Sequence, residues 1–271
     1  MNAIEAKGVK LWILFLSQIR DELKTPFDFW ARYFWVFLFC LSYRFFFKMN
    51  IWSHTLSFGG HQIDLPLFIV SGTAVARLLY FSMNICEETI QNLKTSSVLD
   101  WLLITPTTIW ELYFTKWLWK VFVGLTDFIA IILFSKFLIG TPFKPFIQGP
   151  IFIAILLMIF AYAGIGATIA AFGLLTRRGN SLRTVVGEIS IALGGVIFPI
   201  QLLPKELKFI ANLLPITHGI NIVRNALVSV AEPTPMTPFV LLTVMALGFS
   251  LLGFFAVETG LAMARRHGPL S

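Results

Sequence analysis

Residues that carry metal or redox chemistry are scarce in this sequence. Only two cysteines occur in 271 residues, Cys40 and Cys86, 46 positions apart. Each lies in or at the end of an apolar run, so they make neither a disulfide framework nor a metal knuckle. The four histidines (His54, His61, His218, His267) are scattered, and no set of His, Cys and carboxylates has metal-ligand spacing. The dipeptide Gly-Lys never occurs, which removes the phosphate-cradling P-loop. There is no His-Glu pair for a zincin and no G-x-S-x-G elbow. The chain is therefore expected to hold no cofactor of its own and not to be an enzyme.

Charge is scarce too. Charged residues make up 13% of the chain, about half the usual soluble share of roughly 25%. Hydrophobic residues make up 57%, and the mean hydropathy is +0.80. One soluble core of this length cannot hide that much apolar surface, and a disordered chain would not carry it. A lipid-embedded protein is the class that remains. The net charge of +7 would point to nucleic acid in a soluble protein. Here the basic residues sit between apolar runs, which points to membrane topology and no nucleic-acid partner.

A bilayer core of about 30 Å needs roughly 20 apolar residues in a helix. Six stretches qualify: Phe27–Phe47, Leu65–Ile85, Trp117–Ile139, Ile151–Thr176, Thr184–Leu203 and Phe239–Met263. Before them, Val9, Trp12, Leu16, Ile19 and Leu23 recur at spacings of three and four. That spacing predicts an amphipathic helix over 1–26, lying in the membrane interface or packed on a soluble partner, with Pro26 ending it. The expected fold is an all-α membrane protein with six transmembrane helices over 27–263, an N-terminal interfacial helix, a short outer re-entrant helical hairpin and a tail over 264–271.

Six spans put both termini on one side. Lys7, Lys10, Arg20, Lys24, Lys94, Lys116, Arg177, Arg178, Arg183, Arg265 and Arg266 then share that side, against Lys48, Lys136, Lys144, Lys205, Lys208 and Arg224 opposite. The larger basic group marks the cytoplasm. The cytoplasmic connection 86–116 is half apolar, with Glu87, Glu88, Asp100 and Glu111 beside Leu93, Val98, Leu99, Trp101, Leu102 and Leu103. It reads as a docking helix rather than a solvated linker. Adsorption to the membrane surface is the alternative, and the four acids oppose it on an anionic leaflet. A break at Thr105-Pro106-Thr107 precedes a new helix near Thr108. The outer segment 204–235 carries too much charge to cross the bilayer at about 2.5–3.5 kcal/mol per central charge. Two short helices broken at Pro215 fit it.

Charges inside spans need partners. Arg77 lies about 18 Å from the outer face and Asp127 about 15 Å from the inner one, counting 1.5 Å per residue. In a core about 30 Å thick these depths nearly coincide, so the two are expected to face each other; independent burial is the alternative. Small residues on the fourth span (Ala163, Gly166, Ala167, Ala170, Ala171) and the fifth (Gly187, Ser190, Gly194, Gly195) mark close helix packing, within one bundle or across a dimer. Aromatics make up 15% and fit interfacial belts. A translocation path lined by Tyr33, Tyr162, Phe172 and Phe198 is the sharper reading.

The order of these features resembles the ABC type-2 exporter permeases, a family that includes polysaccharide, teichoic-acid and drug exporters. The residues that carry the resemblance begin with the N-terminal amphipathic helix. Then come Glu87-Glu88-Thr89, Val98-Leu99-Asp100-Trp101-Leu102-Leu103-Ile104-Thr105-Pro106-Thr107, Trp110-Glu111 and Lys116. The outer stretch Leu213-Leu214-Pro215-Ile216-Thr217-His218-Gly219 follows, with Arg224-Asn225-Ala226-Leu227 downstream. One departure is that Thr89–Val98 holds Lys94 but no glycine. The resemblance implies a permease homodimer, or a pair with a similar permease, in a bacterial inner membrane. It implies two copies of a separate cytoplasmic ABC ATPase carrying ATP and Mg. Glu87, Glu88, Thr89, Leu93, Val98, Leu99, Asp100 and Trp101 would form the ATPase-coupling interface. The cargo would be an amphipathic molecule such as a lipid-linked glycan or a drug. A stand-alone secondary transporter or channel using Arg77 and Asp127 is the competing reading, and a lipid-modifying membrane enzyme is a third.

Overall fold

A computed structural model describes residues 3–48, 55–58, 61–95, 109–140, 149–176, 179–228 and 236–267. Its helices, in chain order, are α1 (Ala3–Leu23), α2 (Pro26–Lys48), α3 (Leu65–Thr95), α4 (Ile109–Ile139), α5 (Gly149–Thr176), α6 (Gly179–Leu193), α7 (Lys205–Asn212), α8 (Pro215–Val228) and α9 (Met236–His267). Between α2 and α3 stands an antiparallel hairpin of β1 (Thr55–Phe58) and β2 (His61–Asp64), with Thr55 opposite Asp64 and Phe58 opposite His61. The described residues are otherwise helices and the short turns that join them. The hairpin escapes the sequence reading because four residues per strand are too few for an alternation to stand out.

Proline places many of the helix starts. Pro26, Pro66, Pro150, Pro215 and Pro238 all fall in the first turn of a helix. There the missing N–H has no intrahelical partner to lose, and the fixed φ suits the helix. Gly140 closes α4 with φ +77°, its N–H bonding back to the Lys136 carbonyl at 3.2 Å. Glycine takes that left-handed conformation without a Cβ penalty.

Four helices among the described residues are long and apolar enough to cross a membrane: Leu65–Ile85, Tyr113–Ile139, Gly149–Gly173 and Met236–Gly260. The stretch Phe27–Phe47 forms α2, whose length suffices but which is not among the four; Arg32 and Arg44 interrupt its apolar run. The stretch Thr184–Leu203 departs further from expectation. Helix α6 has 15 residues and stops at Leu193, a length of about 22 Å. Its apolar run continues, but Gly195 turns to φ +78°, and a short 3-10 turn follows at Ile200–Leu202. The helix therefore ends six residues before Pro199, which precedes the 3-10 turn.

Small residues bring the backbones together within one chain. A Cβ on Gly164 of α5 would lie 2.3 Å from the Phe249 carbonyl oxygen of α9. A Cβ on Gly253 of α9 would lie 2.5 Å from the Gly164 oxygen. Farther along, Ala167, Ala170 and Ala171 bury against Val257, and Gly166 abuts the Met83 backbone of α3. Backbones this close gain dispersion contact that lipid cannot supply. Helix α3 lies deepest, with 72% of its apolar window buried, against 22% for α9. Val240, Val244, Leu247, Leu251 and Phe255 of α9 stay exposed.

Helix α1 packs on the start of α4. Lys10 Nζ donates to Glu111 Oε2 at 2.7 Å, and Phe15 meets Trp119 edge-on at 5.9 Å between centroids. Trp12, Ile13 and Leu16 remain exposed. Of the connection expected over 86–116, both ends are helical, and residues 96–108, with part of the expected docking helix, lie outside the described residues. Helix α3 runs on through Thr95 and α4 starts at Ile109.

Candidate functional site

Helix α3 is buried on most sides and open on one. Between Leu65 and Ile85 Arg77 alone is exposed, and Thr73, Tyr80 and Asn84 are half-buried. These four stand at i, i+4, i+7 and i+11, which is one face of a helix. Phe81, also half-buried, lies beside these polar residues, and the rest of the span is mainly apolar, with Ser71 and Ser82 buried in it.

Arg77 Nε lies 3.7 Å from Asp127 Oδ2 of α4. The two partners are unlike. Asp127 is fully buried, while 47% of the Arg77 side chain is exposed. At 3.7 Å the contact is long for a hydrogen bond, so charge carries most of the pair. Arg32 of α2 also acts on the Asp127 carboxylate electrostatically. Next to them, the Tyr33 hydroxyl and Thr126 Oγ1 are 2.9 Å apart, with Tyr33 donating, and Thr126 donates onward to the Val123 carbonyl at 2.7 Å. Three helices thus meet around one buried carboxylate. A carboxylate at that depth is tolerable only with cations around it.

A second arginine joins the same face from α6. Arg183 donates through Nη1 to the Asn84 side-chain carbonyl and stands over the Tyr80 ring at 5.6 Å from its centroid. Arg77 stands over the Phe81 ring at 5.8 Å. Gly187, one turn along α6 from Arg183, faces Met83 and Tyr80, which lets α6 approach α3 here. Sequence reading counted Arg183 only as a charge marking one side of the membrane. The signal available was that Asn84 is one of the few amides on any span.

At the other end of α3 lies a third arginine. Arg224 of α8 is 2% exposed. Its Nη1 donates to the Gly195 carbonyl at 2.6 Å, and its Nη2 donates to the Phe68 and Val196 carbonyls, each at 2.9 Å. The guanidinium lies over the Phe68 ring, 3.4 Å from its centroid. The chain just past the end of α6 carries carbonyls that no helix satisfies, and Arg224 takes two of them. Sequence reading treated this residue as an outer-side charge; the structure turns it inward as the clamp between α3, the α6 break and α8. The outer hairpin is held likewise. Thr217 Oγ1 donates to the Ala211 carbonyl at 2.5 Å, and His218 Nε2 lies 2.8 Å from the Asn212 carbonyl oxygen. Both carbonyls belong to the last turn of α7.

The remaining candidate residues fall as follows. Glu87, Glu88, Thr89 and Leu93 belong to the last turns of α3. Val98, Leu99, Asp100 and Trp101 lie outside the described residues. Tyr162 of α5 is 2% exposed, inside the core, with Ser190 and the Ile216 backbone next to its hydroxyl. Phe172 of the same helix is exposed, and Phe198, past the end of α6, is half-buried. Among the described residues no group of three or more His, Cys, Asp or Glu could hold a metal ion.

Comparison with known protein families gives a match to the ABC-2 type transporter family over residues 10–228. No curated protein matches the chain.

Proposed function

This chain belongs to the ABC-2 type transporter family, as the membrane permease subunit of an ABC transporter, and from that premise we propose that it is the permease of an ATP-driven exporter. The observation that carries the proposal is the family match across 10–228, which takes in the polar face of α3 and the Arg224 clamp. The family implies an ABC ATPase as partner in general. In our reading two copies of that ATPase, carrying ATP and Mg, serve a homodimer of this chain in a bacterial inner membrane.

Six spans, with α2 and the α6 segment added to the four apolar helices, place both termini in the cytoplasm. Helix α1 then lies in the inner interface. Its exposed Trp12, Ile13 and Leu16 suit that position, since aromatic and large aliphatic side chains partition to the headgroup boundary. The end of α3, with Glu87, Glu88, Thr89 and Leu93, and the segment holding Val98, Leu99, Asp100 and Trp101 seat on the ATPase. Closure of the ATPases on ATP pushes on this segment, and α3 carries the push to its polar face. The cargo is amphipathic, a lipid-linked glycan or a drug, and aromatics such as Tyr33, Phe172 and Phe198 border its route. The Arg77–Asp127 pair also favours a second reading, in which the chain transports alone with that pair as an ion-coupled switch.

One experiment separates them. The tagged chain is purified from its own membranes, and the co-purifying proteins are assayed for ATP hydrolysis. An exporter brings down a P-loop ATPase, and the double variant Glu87→Lys/Glu88→Lys releases it. Transport by the chain alone in vesicles, with no nucleotide-hydrolysing partner, overturns the proposal.

A further inference from the structure

Helix α3 runs without interruption from Leu65 to Thr95. Phe68 and Glu87 stand about 28 Å apart on it by helical rise, nearly the thickness of a bilayer core at about 30 Å. The end near Phe68 is fastened to two other elements at once. Nη2 of Arg224 donates to the Phe68 carbonyl of α3 and to the Val196 carbonyl past α6, and Nη1 donates to the Gly195 carbonyl. The arginine is carried by α8, and its guanidinium rests on the Phe68 ring. Carbonyls at a helix end are commonly satisfied locally, by a turn of the same chain or by water. Here a side chain from another helix satisfies them and grips α3 with the same nitrogen. That reach makes Arg224 a link between elements rather than a cap on one.

The fastening works in both directions. Charge-assisted hydrogen bonds resist separation of α3 from the turn after α6. Gly72, one helical turn from Phe68, resists their approach. It has no side chain to yield, and a Cβ there would already lie 2.3 Å from the Val196 oxygen. The same turn is tied to the rest of the outer hairpin. Gly194 donates its N–H to the Ser190 carbonyl at 2.9 Å and abuts Ile216 of α8. Thr217 and His218 of α8 in turn hold the last turn of α7. Close-packed interiors are hardly compressible and pass strain on. A shift of α3 along its axis therefore carries the turn after α6, α8 and α7 with it. These elements then move against α5, where Gly219 of α8 lies hard against the Met158 side chain.

We propose that Arg224 is the joint through which α3 drives the outer hairpin, so that movement imposed on the cytoplasmic end of α3 reaches the opposite surface as a displacement of α7 and α8. Arg224 acts through these elements and is a positioning residue. The proposal rests on the exporter reading for what moves α3, namely nucleotide-driven closure of the partner ATPase. It adds that the hairpin is a driven element and that the drive passes through one guanidinium.

The test uses the chain with its ATPase, co-purified from its own membranes into lipid nanodiscs, and follows amide hydrogen exchange with and without ATP plus vanadate. In the wild-type complex, nucleotide shifts exchange at the inner end of α3 (86–95) and in the outer segment 194–213, the latter by about fivefold, the low end of coupling between two sites. Arg224→Gln and Arg224→Lys keep the inner shift and lower the outer one to less than about twofold. Phe68→Leu, which takes only the ring from under the guanidinium, gives an intermediate outer shift. Thr217→Val loosens the hairpin without touching the joint, so its exchange is faster throughout and the full nucleotide shift persists. Loss of that shift in Thr217→Val as well would leave Arg224 a stabilising residue only, and the proposal falls. It falls too on a full outer shift in either Arg224 variant or, should neither fold, in Phe68→Leu. A wild-type complex whose inner end responds while 194–213 does not also overturns it. A wild-type complex whose inner end ignores nucleotide removes the exporter reading, and the proposal with it.

Discussion

Gly72 of α3 lies against the backbone of Val196, so close that a Cβ at position 72 would sit 2.3 Å from the Val196 carbonyl oxygen and 2.7 Å from Nη2 of Arg224. Neither neighbour is free to move. The carbonyl belongs to the chain just past the end of α6, and the guanidinium is committed to three carbonyls. Gly72→Ala is expected to destabilise the protein by about 1–3 kcal/mol, as overpacking does. Thermal unfolding in detergent, followed by tryptophan fluorescence, should show the loss, and Gly248→Ala, where a Cβ meets nothing within 4 Å, should not.

Arg224→Lys keeps the charge but loses the planar fork. An ammonium cannot reach the Gly195, Val196 and Phe68 carbonyls with the same geometry. Each carbonyl left unpaired costs about 1–3 kcal/mol. The variant should unfold at a lower temperature than Arg44→Lys, and limited proteolysis should cut first between α6 and α7.

The Arg77–Asp127 pair can be weighed by a double-mutant cycle. Arg77→Gln alone leaves a fully buried carboxylate and should cost about 3 kcal/mol, the low end for a broken buried pair because Arg77 is half exposed. Asp127→Asn alone should cost less. The double variant should be more stable than Arg77→Gln, with a coupling energy of about 1–3 kcal/mol. Additive effects in unfolding measurements would mean that the two charges ignore each other.

Lys10 and Glu111 tie α1 to α4 near the protein surface, with 27% and 20% of their side chains exposed. Lys10→Glu should loosen α1 by at most about 1 kcal/mol, seen as faster amide exchange across 11–20. The swap Lys10→Glu/Glu111→Lys should restore protection.

Much of this architecture was legible because hydrocarbon thickness and helical rise are strict rulers. The apolar runs around Leu65–Ile85, Tyr113–Ile139, Gly149–Gly173 and Met236–Gly260 declare their lengths, and the start of α4 at Ile109 follows a visible Thr-Pro-Thr break. The depths of Arg77 and Asp127 needed only counting, and the structure has them 3.7 Å apart. The end of α6 was hidden. Hydropathy does not distinguish a glycine that packs from one that turns, and the run stays apolar through Leu203. Arg224 was hidden for a related reason. A topology count treats every arginine as solvated, whereas this one is buried because broken backbone needs donors. Its mark in the sequence is an arginine in an apolar helix with no acid three or four residues away. The α3 face is spaced at i, i+4, i+7 and i+11, but Thr73, Tyr80 and Asn84 carry no charge and so do not stand out in an apolar run.

The Lys10–Glu111 contact has a mechanical consequence. Glu111 and Asp127 are carried by one uninterrupted helix, sixteen residues and about 24 Å apart. Any sideways displacement of α1 that preserves its grip on Glu111 must swing α4 as a lever. The far arm of that lever bears the carboxylate against which Arg77 leans, so a nudge at the amino-terminal end arrives in mid-bilayer as a change in how open the arginine stands.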